Sequence, residues 1–468
     1  MGSGRVQFVY LLGEGLPATV IDSQVLRVLQ RLGERGIIFD LLVYQPHRIG
    51  YSSSKTTKDR LSQLSQRLPG RVSYHVLPSW LLSNVSPDAQ ESDGGGSEFS
   101  FKKAVIAGGL DGRYLDTLAG RLFDTLLGGV RHAALQVRTL FVVCWVTYKL
   151  SARLLRGVPV VLHARSSAIE VATLLRRLLP QIRLVADFRG DSVAEYVYAH
   201  REYHPLGGLL PRIHRVCRRF ARNEVRSLRV ADSVQCVSKP LARRLKRRWP
   251  CAKEPRVIPC LADERLFYYH EQEGKRQRVL LGLVGFTGLI YCGSMTAWQV
   301  PGRIFDLYKN LTQDGGNWKL IIVTPQTETA SRLAMDRDLS IGENVLICSA
   351  RHDDIRNYLV AADVAVLMRE PHPLNQVASP TKFAEYTMCG LPVITSRGIG
   401  DLDQLVAEYD LGELLDSFEQ APAAARRARE LSQLERERLA ARARMLFSLE
   451  SVIDSWSEVY RNVYRSTS

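Results

Sequence analysis

The chain has 468 residues, enough for two or three domains, each with its own core. Its 46% hydrophobic and 24% charged residues are ordinary for a water-soluble globular protein, and no apolar run approaches the roughly 20 residues a membrane-spanning helix needs. The eight cysteines are scattered, with no C-x-x-C pair and no histidine at a zinc spacing; that excludes a zinc ribbon and suggests a reducing compartment.

From the N-terminus, MGSGRVQFVYLL begins a strand rather than a secretory signal, so the expected location is cytoplasmic. Apolar runs then alternate with helical patterns almost from end to end, the pattern of a doubly wound α/β architecture. Strands are expected at 5–12, 37–44, 72–77, 158–164, 182–188 and 231–237. A helical stretch at 20–34 places Val20, Val25, Leu29 and Leu32 on one side. The Ser/Gly/Asp-rich segment 84–112 reads as a mobile loop. TLFVVCWVTYKL at 139–150 is too short to span a membrane and reads as a buried helix.

The net charge of +15 is concentrated between 212 and 256, where RIHRVCRRFARNEVRSLR and LARRLKRRW carry few acids. Such a cluster is an electrostatic footprint for a phosphate-bearing partner, or a solvated helix face. Ile213, Val216, Phe220 and Val225 lie among the arginines, which fits an interfacial helix on the inner face of a membrane. An anionic membrane surface is therefore the partner expected for 212–248. Nucleic acid, the rival partner, is not expected, because no aromatic interleaving accompanies the arginines.

The polar segment 263–278 reads as a linker. Beyond it, strands are expected at 288–293, 318–324, 344–349, 363–368, 391–395 and 412–416. The last segment carries Leu449, Val452, Ile453, Trp456, Tyr460, Val463 and Tyr464 at spacings of three and four, an apolar helical stripe that must pack on something. The expected organisation is a Rossmann-like domain at 1–262, the linker at 263–278, a second such domain at 279–445, and a helix at 446–468 packing back on the first. If the carboxyl ends of the two sheets face each other, the cleft between them is the natural site.

Residues 379–395 read SPTKFAEYTMCGLPVIT. Ser379 suits an N-cap, Pro380 the first helical position and Gly390 the C-terminal turn. The N-terminus of that helix is an anion site, and Lys382 in its first turn conflicts with the dipole unless an anion docks there. Glu385, one turn on, is able to accept two hydrogen bonds from a vicinal diol such as a ribose. The same spacing also fits an ordinary ion pair between Lys382 and Glu385.

The stretch DVAVLMRE…ASPTKFAEYTMCGLPVIT closely resembles the donor-binding segment of the GT-B retaining glycosyltransferases of family 4. LLGEG near the N-terminus, ADSVQCVSKPLARRL, RVIPCLADERLF and RHDDIRNYLVAADVAVL agree in order, and the resemblance is specific mainly at 351–400. It implies two Rossmann-like domains facing across a cleft, and a hexosyltransferase that moves a sugar from a nucleotide-diphosphate sugar to a glycan, lipid-linked or small-molecule acceptor with retention of configuration. Neither a metal nor a cofactor is expected. Glu385 matches the second acid of the family's E-x7-E motif and would hold the ribose. Lys382 and the amides of Ser379 and Thr381, flanking Pro380, would bind the diphosphate. Ser349 and Ala350 would lie against the base, and Gly13 and Gly15 match a glycine loop near the donor phosphate. His163–Ser167 and Asp187–Asp191 would end strands at the same cleft, with Asp187 and Arg189 orienting the acceptor.

The chain also departs from that pattern. Val377 stands where the first acid of the motif should be, and Glu370 lies in the same segment at the wrong distance. After the strand ending near Gly293, Ser294 and Gln299 replace the usual Arg and Lys, a charge that Arg369 is placed to restore. Arg189 stands where many members carry a histidine. Asp401-Leu402-Asp403 resembles a metal-binding D-x-D but opens a helix, which favours an N-cap role. The rival functions are another GT-B enzyme, such as a sugar-nucleotide epimerase, and a basic nucleic-acid-binding protein.

Overall fold

A computed structural model of the chain describes residues 7–13, 21–46, 63, 66–77, 137–200, 210–313 and 315–465. Among them are two wholly parallel sheets with helices on both faces, so the chain forms two Rossmann-like α/β domains. The first sheet contains β1 (Gln7–Leu12), β2 (Phe39–Pro46), β3 (Val72–Leu77), β4 (Val160–Arg165), β5 (Ile182–Phe188), β6 (Ser233–Cys236) and β7 (Arg256–Val257) in the order β3-β2-β1-β4-β5-β6-β7. Its helices include α1 (Arg27–Glu34), α2 (137–154), α3 (Ala168–Leu178), α4 (Ser192–Ala199), α5 (Leu210–Val230) and α6 (Lys239–Arg248). The second sheet contains β8 (Thr287–Cys292), β9 (Trp318–Val323), β10 (Val345–Cys348), β11 (Val364–Leu367), β12 (Val393–Ser396) and β13 (Gly412–Leu415) in the order β10-β9-β8-β11-β12-β13. Around it lie α7 (Glu271–Leu280), α8 (Pro301–Gln313), α9 (Thr327–Met335), α10 (Ile355–Ala361), α11 (Thr381–Met388), α12 (Leu402–Tyr409), α13 (Ala421–Phe447) and α14 (Leu449–Arg465).

The alternation of apolar runs decides this architecture because a parallel sheet is covered on both faces. Every residue of β4 and of β8 is buried. All twelve expected strands are present, and only the two-residue β7 was too short to announce itself. In both sheets the strand order reverses beside the first strand, between β1 and β4 and between β8 and β11. Those two reversal points are where α/β sheets open crevices for ligands.

Several segments differ from expectation. The polar segment 263–278 contains most of α7, whose N-terminus is capped by the His270 ring accepting from Glu273 N–H at 3.4 Å. Only Gly274 of α7 is buried, so this helix carries no apolar periodicity to read. The helix expected to be buried at 139–150 is buried on one side alone: Val142, Val143, Val146 and Leu150 are inside, while Leu140, Phe141 and Tyr148 are exposed. The 84–112 segment, Gly15 and Val20 lie outside the described residues.

After α13 the chain turns at Ser448 into α14, whose Leu449, Ile453, Trp456, Val459, Tyr460 and Val463 join the core on one face of the first sheet with Val28, Leu29 and Leu32 of α1. Two segments thus cross between the domains side by side. Ala262 N–H donates to Phe447 O at 3.0 Å, and Leu449 N–H donates to the Glu264 carboxylate at 2.9 Å.

Candidate active site

The second sheet's reversal point carries Gly293 after β8 and Arg369 after β11, with α11 closing the third side. Gly293 has φ +151°, and a Cβ there would collide with the end of the Lys382 side chain. Tyr386 of α11 fixes the strand end: its hydroxyl accepts from Cys292 N–H at 2.7 Å and lies 2.9 Å from Cys292 O. Glycine at this position therefore lets a helix-borne cation lie directly against the β8 backbone.

Contrary to expectation, α11 starts at Thr381 with Pro380 as its N-cap, and Ser379 does not cap it. The Ser379 hydroxyl instead accepts from Cys260 N–H at 2.9 Å, a bond that ties the donor-side helix to the first domain. Local capping preference yields here to a long-range partner. At the other end Gly390 (φ +76°) turns the chain beneath Arg436, which donates to the carbonyls of Leu359, Val360 and Ala362.

Lys382 and Glu385 do not pair with each other. The Lys382 ammonium donates to Gln299 Oε1 at 2.5 Å and to the Tyr291 hydroxyl at 3.3 Å. Gln299 is itself fixed, its amide donating to Ser294 Oγ at 2.6 Å, and Tyr291 OH lies 2.6 Å from Ser294 O. Ser294 and Gln299 thus hold the lysine that remains, in the place where the resemblance had two cations. Glu385 is only 5% exposed, and its carboxylate has no hydrogen bond or ion pair among the described residues. Burial pushes the Glu385 carboxyl up to about 8 against the opposing pull of Lys382. Enclosure of the ammonium, helped by the nearby Arg369 charge, brings Lys382 down to about 8.

Arg369 completes the cationic wall. Its NH1 donates to Asn375 Oδ1 at 3.0 Å, its backbone N–H donates to Ser396 Oγ at 2.9 Å, and its buried Nε has no hydrogen-bond partner among the described residues. Burial lowers its pKa. Tyr291 and Asn375, which lock the two cations, were not singled out in the sequence; nothing in their local pattern marks them. Ser349 and Ala350 line a cavity of about 380 Å³ with Gln277, Arg351, Asn357 and Tyr358.

Across the cleft, Gly13 follows β1, where a Cβ would meet Ser167 Oγ and Tyr44 OH at 2.6 Å each. Asp187, 3% exposed, has its carboxylate 3.6 Å from Arg189 and 3.5 Å from His163. Burial would raise this carboxyl, but Arg189, His163 and Arg165 outweigh it and hold it well below the usual carboxylate range. Arg189 also donates to Gln24 Oε1 at 3.3 Å and Cys260 Sγ at 3.1 Å. His163 is a core residue, 1% exposed, with Nδ1 3.0 Å from Tyr460 OH of α14.

Further contacts among the described residues close the cleft around these groups. Ser238 donates to Val377 O at 2.7 Å, Lys239 N–H donates to the Asp401 carboxylate at 2.9 Å, and Tyr198 donates to Glu370 at 2.5 Å. Trp298 and His372 pack edge-on around the Tyr198 ring at 5.9 and 4.9 Å. The D-x-D aspartates do not cap α12 through their side chains: Asp401 accepts from Lys239, and Asp403 accepts from Gly398 N–H at 3.0 Å.

Residues 287–445 match the family model described as Glycosyl transferases group 1. The match lies within the second domain and spans its sheet from β8 to β13. No curated protein sequence matches the chain. Among solved structures, HepE of Anabaena in complex with UDP-glucose is 14% identical with a TM-score of 0.61, over 98% of this chain and 100% of that one. Sucrose-phosphate synthase of Thermosynechococcus elongatus is 17% identical with a TM-score of 0.59, over 98% and 100%. An α,α-trehalose 6-phosphate synthase of Burkholderia multivorans is 12% identical with a TM-score of 0.57, over 99% and 100%. At these identities the likeness concerns the fold, which is GT-B.

Proposed function

We propose that the protein transfers a sugar from a nucleotide-diphosphate sugar to a glycan, lipid-linked or small-molecule acceptor, with retention of configuration and without a metal ion. The observation that carries this reading is the buried carboxyl of Glu385, unpaired among the described residues, one helical turn from the Lys382 ammonium and beside Arg369 at the β8/β11 reversal point. A carboxyl group buried without a protein partner is costly, and a ribose diol supplies hydrogen-bond partners for it. The group 1 domain match and the UDP-glucose complex of HepE support the same donor class.

Glycosyl transfer develops positive charge on the sugar and negative charge on the departing phosphate. Lys382, Arg369 and the free N–H groups at the start of α11 would meet that negative charge in a site shielded from water. Neutralisation there would replace a metal ion, and the D-x-D carboxylates are already engaged with backbone N–H groups. Asp187 and Arg189, fixed to one another at the first domain's edge, would orient the acceptor on the same face as the leaving group, whose oxygen takes the acceptor proton.

A thermal-shift panel of nucleotide sugars, UDP-glucose among them, tests the donor site, because a ligand of the folded state raises the apparent melting temperature. Product analysis by proton NMR then decides the reaction. Acceptor-dependent release of nucleoside diphosphate with retained anomeric configuration is expected. Acceptor-free conversion of the sugar nucleotide would make the protein an epimerase instead.

A further inference from the structure

Two helices on one side of the first sheet present outward faces that the cleft does not use. α2 and α5 both contribute to the core beneath that side, through Val142, Val143, Val146 and Leu150 of α2 and Leu228 of α5. Opposite its buried residues, α2 exposes Val137 (36%), Leu140 (55%), Phe141 (44%) and Tyr148 (73%), with Leu155 just past its end at 86%. These positions fall on one stripe. The outward stripe of α5 is cationic: Arg215, Arg218, Arg222, Arg226 and Arg229 recur at spacings of three and four, and all are exposed. No carboxylate among the described residues pairs with any of the five; Glu224, the one acid of α5, turns inward to Arg248 at 3.2 Å.

The structure corrects the interfacial-helix reading of 212–230. Ile213 is buried, Phe220 packs against the Tyr196 ring at 5.6 Å, and Val216 and Val225 are half-buried, so the apolar residues of α5 serve the protein's own packing. The exposed apolar surface comes from α2, and α5 supplies the charge.

We propose that this layer is a docking surface for an anionic lipid bilayer, with the α2 stripe entering the headgroup boundary and the α5 arginines meeting lipid phosphates. A nucleic acid would use the arginines and stack on Tyr148, but it offers no apolar phase to Val137, Leu140 and Leu155. A bilayer surface satisfies both faces at once, since interfacial binding scales with buried apolar area plus attraction to anionic lipid. Nothing in this inference depends on the transfer reaction.

The test is flotation of the whole chain with phosphatidylcholine vesicles with and without phosphatidylglycerol. Wild type is expected to float with the anionic vesicles only. Replacing three arginines (R218Q, R222Q and R226Q together) should weaken partitioning about a hundredfold, on the scale of one lipid-facing charge per arginine. L140S with Y148S should weaken it about tenfold or more, with unchanged melting temperature in both variants. Equal recovery with neutral and anionic vesicles overturns the proposal. So does retention by the apolar variant when the arginine variant also loses RNA binding, which would make the layer a polyanion site. Light scattering showing a dimer that L140S with Y148S dissociates would instead assign the stripe to a second copy, and overturn it too.

Discussion

The carbonyl oxygen of Val377 accepts the Ser238 hydroxyl at 2.7 Å, and the Val377 side chain is buried in the hydrophobic cluster of the first domain. The residue eight before Glu385, the place of the motif's first acid, is therefore part of the contact that closes the cleft. The valine at this position has a packing reason: its side chain sits among the apolar residues of that cluster, where a carboxylate would lose its hydration.

That relationship predicts that Val377→Glu will not restore a family-like site. It should destabilise the closed form by about 3 kcal/mol, the scale of an unpaired buried charge, and small-angle scattering should show a wider separation of the domains. Val377→Ala, which only trims the contact, should leave the scattering profile unchanged. A compact Val377→Glu protein would show that the cluster does not hold the domains together.

If Lys382 and Glu385 are two grips on one ligand, each should fail alone. Lys382→Ala is expected to weaken nucleoside-diphosphate binding about a hundredfold, on the scale of one charge-assisted hydrogen bond in a dry site. Glu385→Gln should weaken it by a similar factor, with the circular dichroism spectrum intact. Calorimetric titration measures both, and wild-type affinity in either variant would return that residue to a structural role.

The same carboxylate makes a prediction about stability with a definite sign. Glu385 titrates at about 8 in the folded protein against 4.5 for the free side chain. Between those values the folded carboxyl keeps a proton that the unfolded chain has released, so stability falls as pH rises through that window. Glu385→Gln removes the effect and should be the more stable protein at pH 8 by about 2–4 kcal/mol, seen by urea unfolding. No stabilisation at pH 8, or the same difference at pH 4 as at pH 8, would contradict it.

Lys382 gives the converse test in binding. Burial brings it to about 8, so above that pH the ligand-free protein presents a neutral amine. Affinity for a nucleoside diphosphate should decline between about pH 7 and about pH 9 in wild type, and decline less in Lys382→Arg, whose guanidinium stays charged. Parallel pH profiles would show that the ammonium does not meet the phosphates.

The sequence by itself determined the two doubly wound sheets, because apolar alternation states which strands are covered on both faces, and that information is local. It also marked Lys382 and Glu385 on one short helix and Gly390 as the turn after it, since turn chemistry acts within a few residues. What it could not state was where those side chains go. Lys382 is held by Gln299 and Tyr291, more than eighty residues earlier, and Ser379 leaves its helix for Cys260. The C-terminal stripe announced that α14 must be buried, but only the tertiary structure shows it completing the core over α1. Likewise α2 and α5 read as a buried helix and an interfacial one until their neighbours were in place, with α2 exposed on one side and the apolar residues of α5 turned inward. Periodicity records that a face is apolar or charged. What covers that face is decided by contacts between elements far apart in the chain, and those exist only once the sheets have formed.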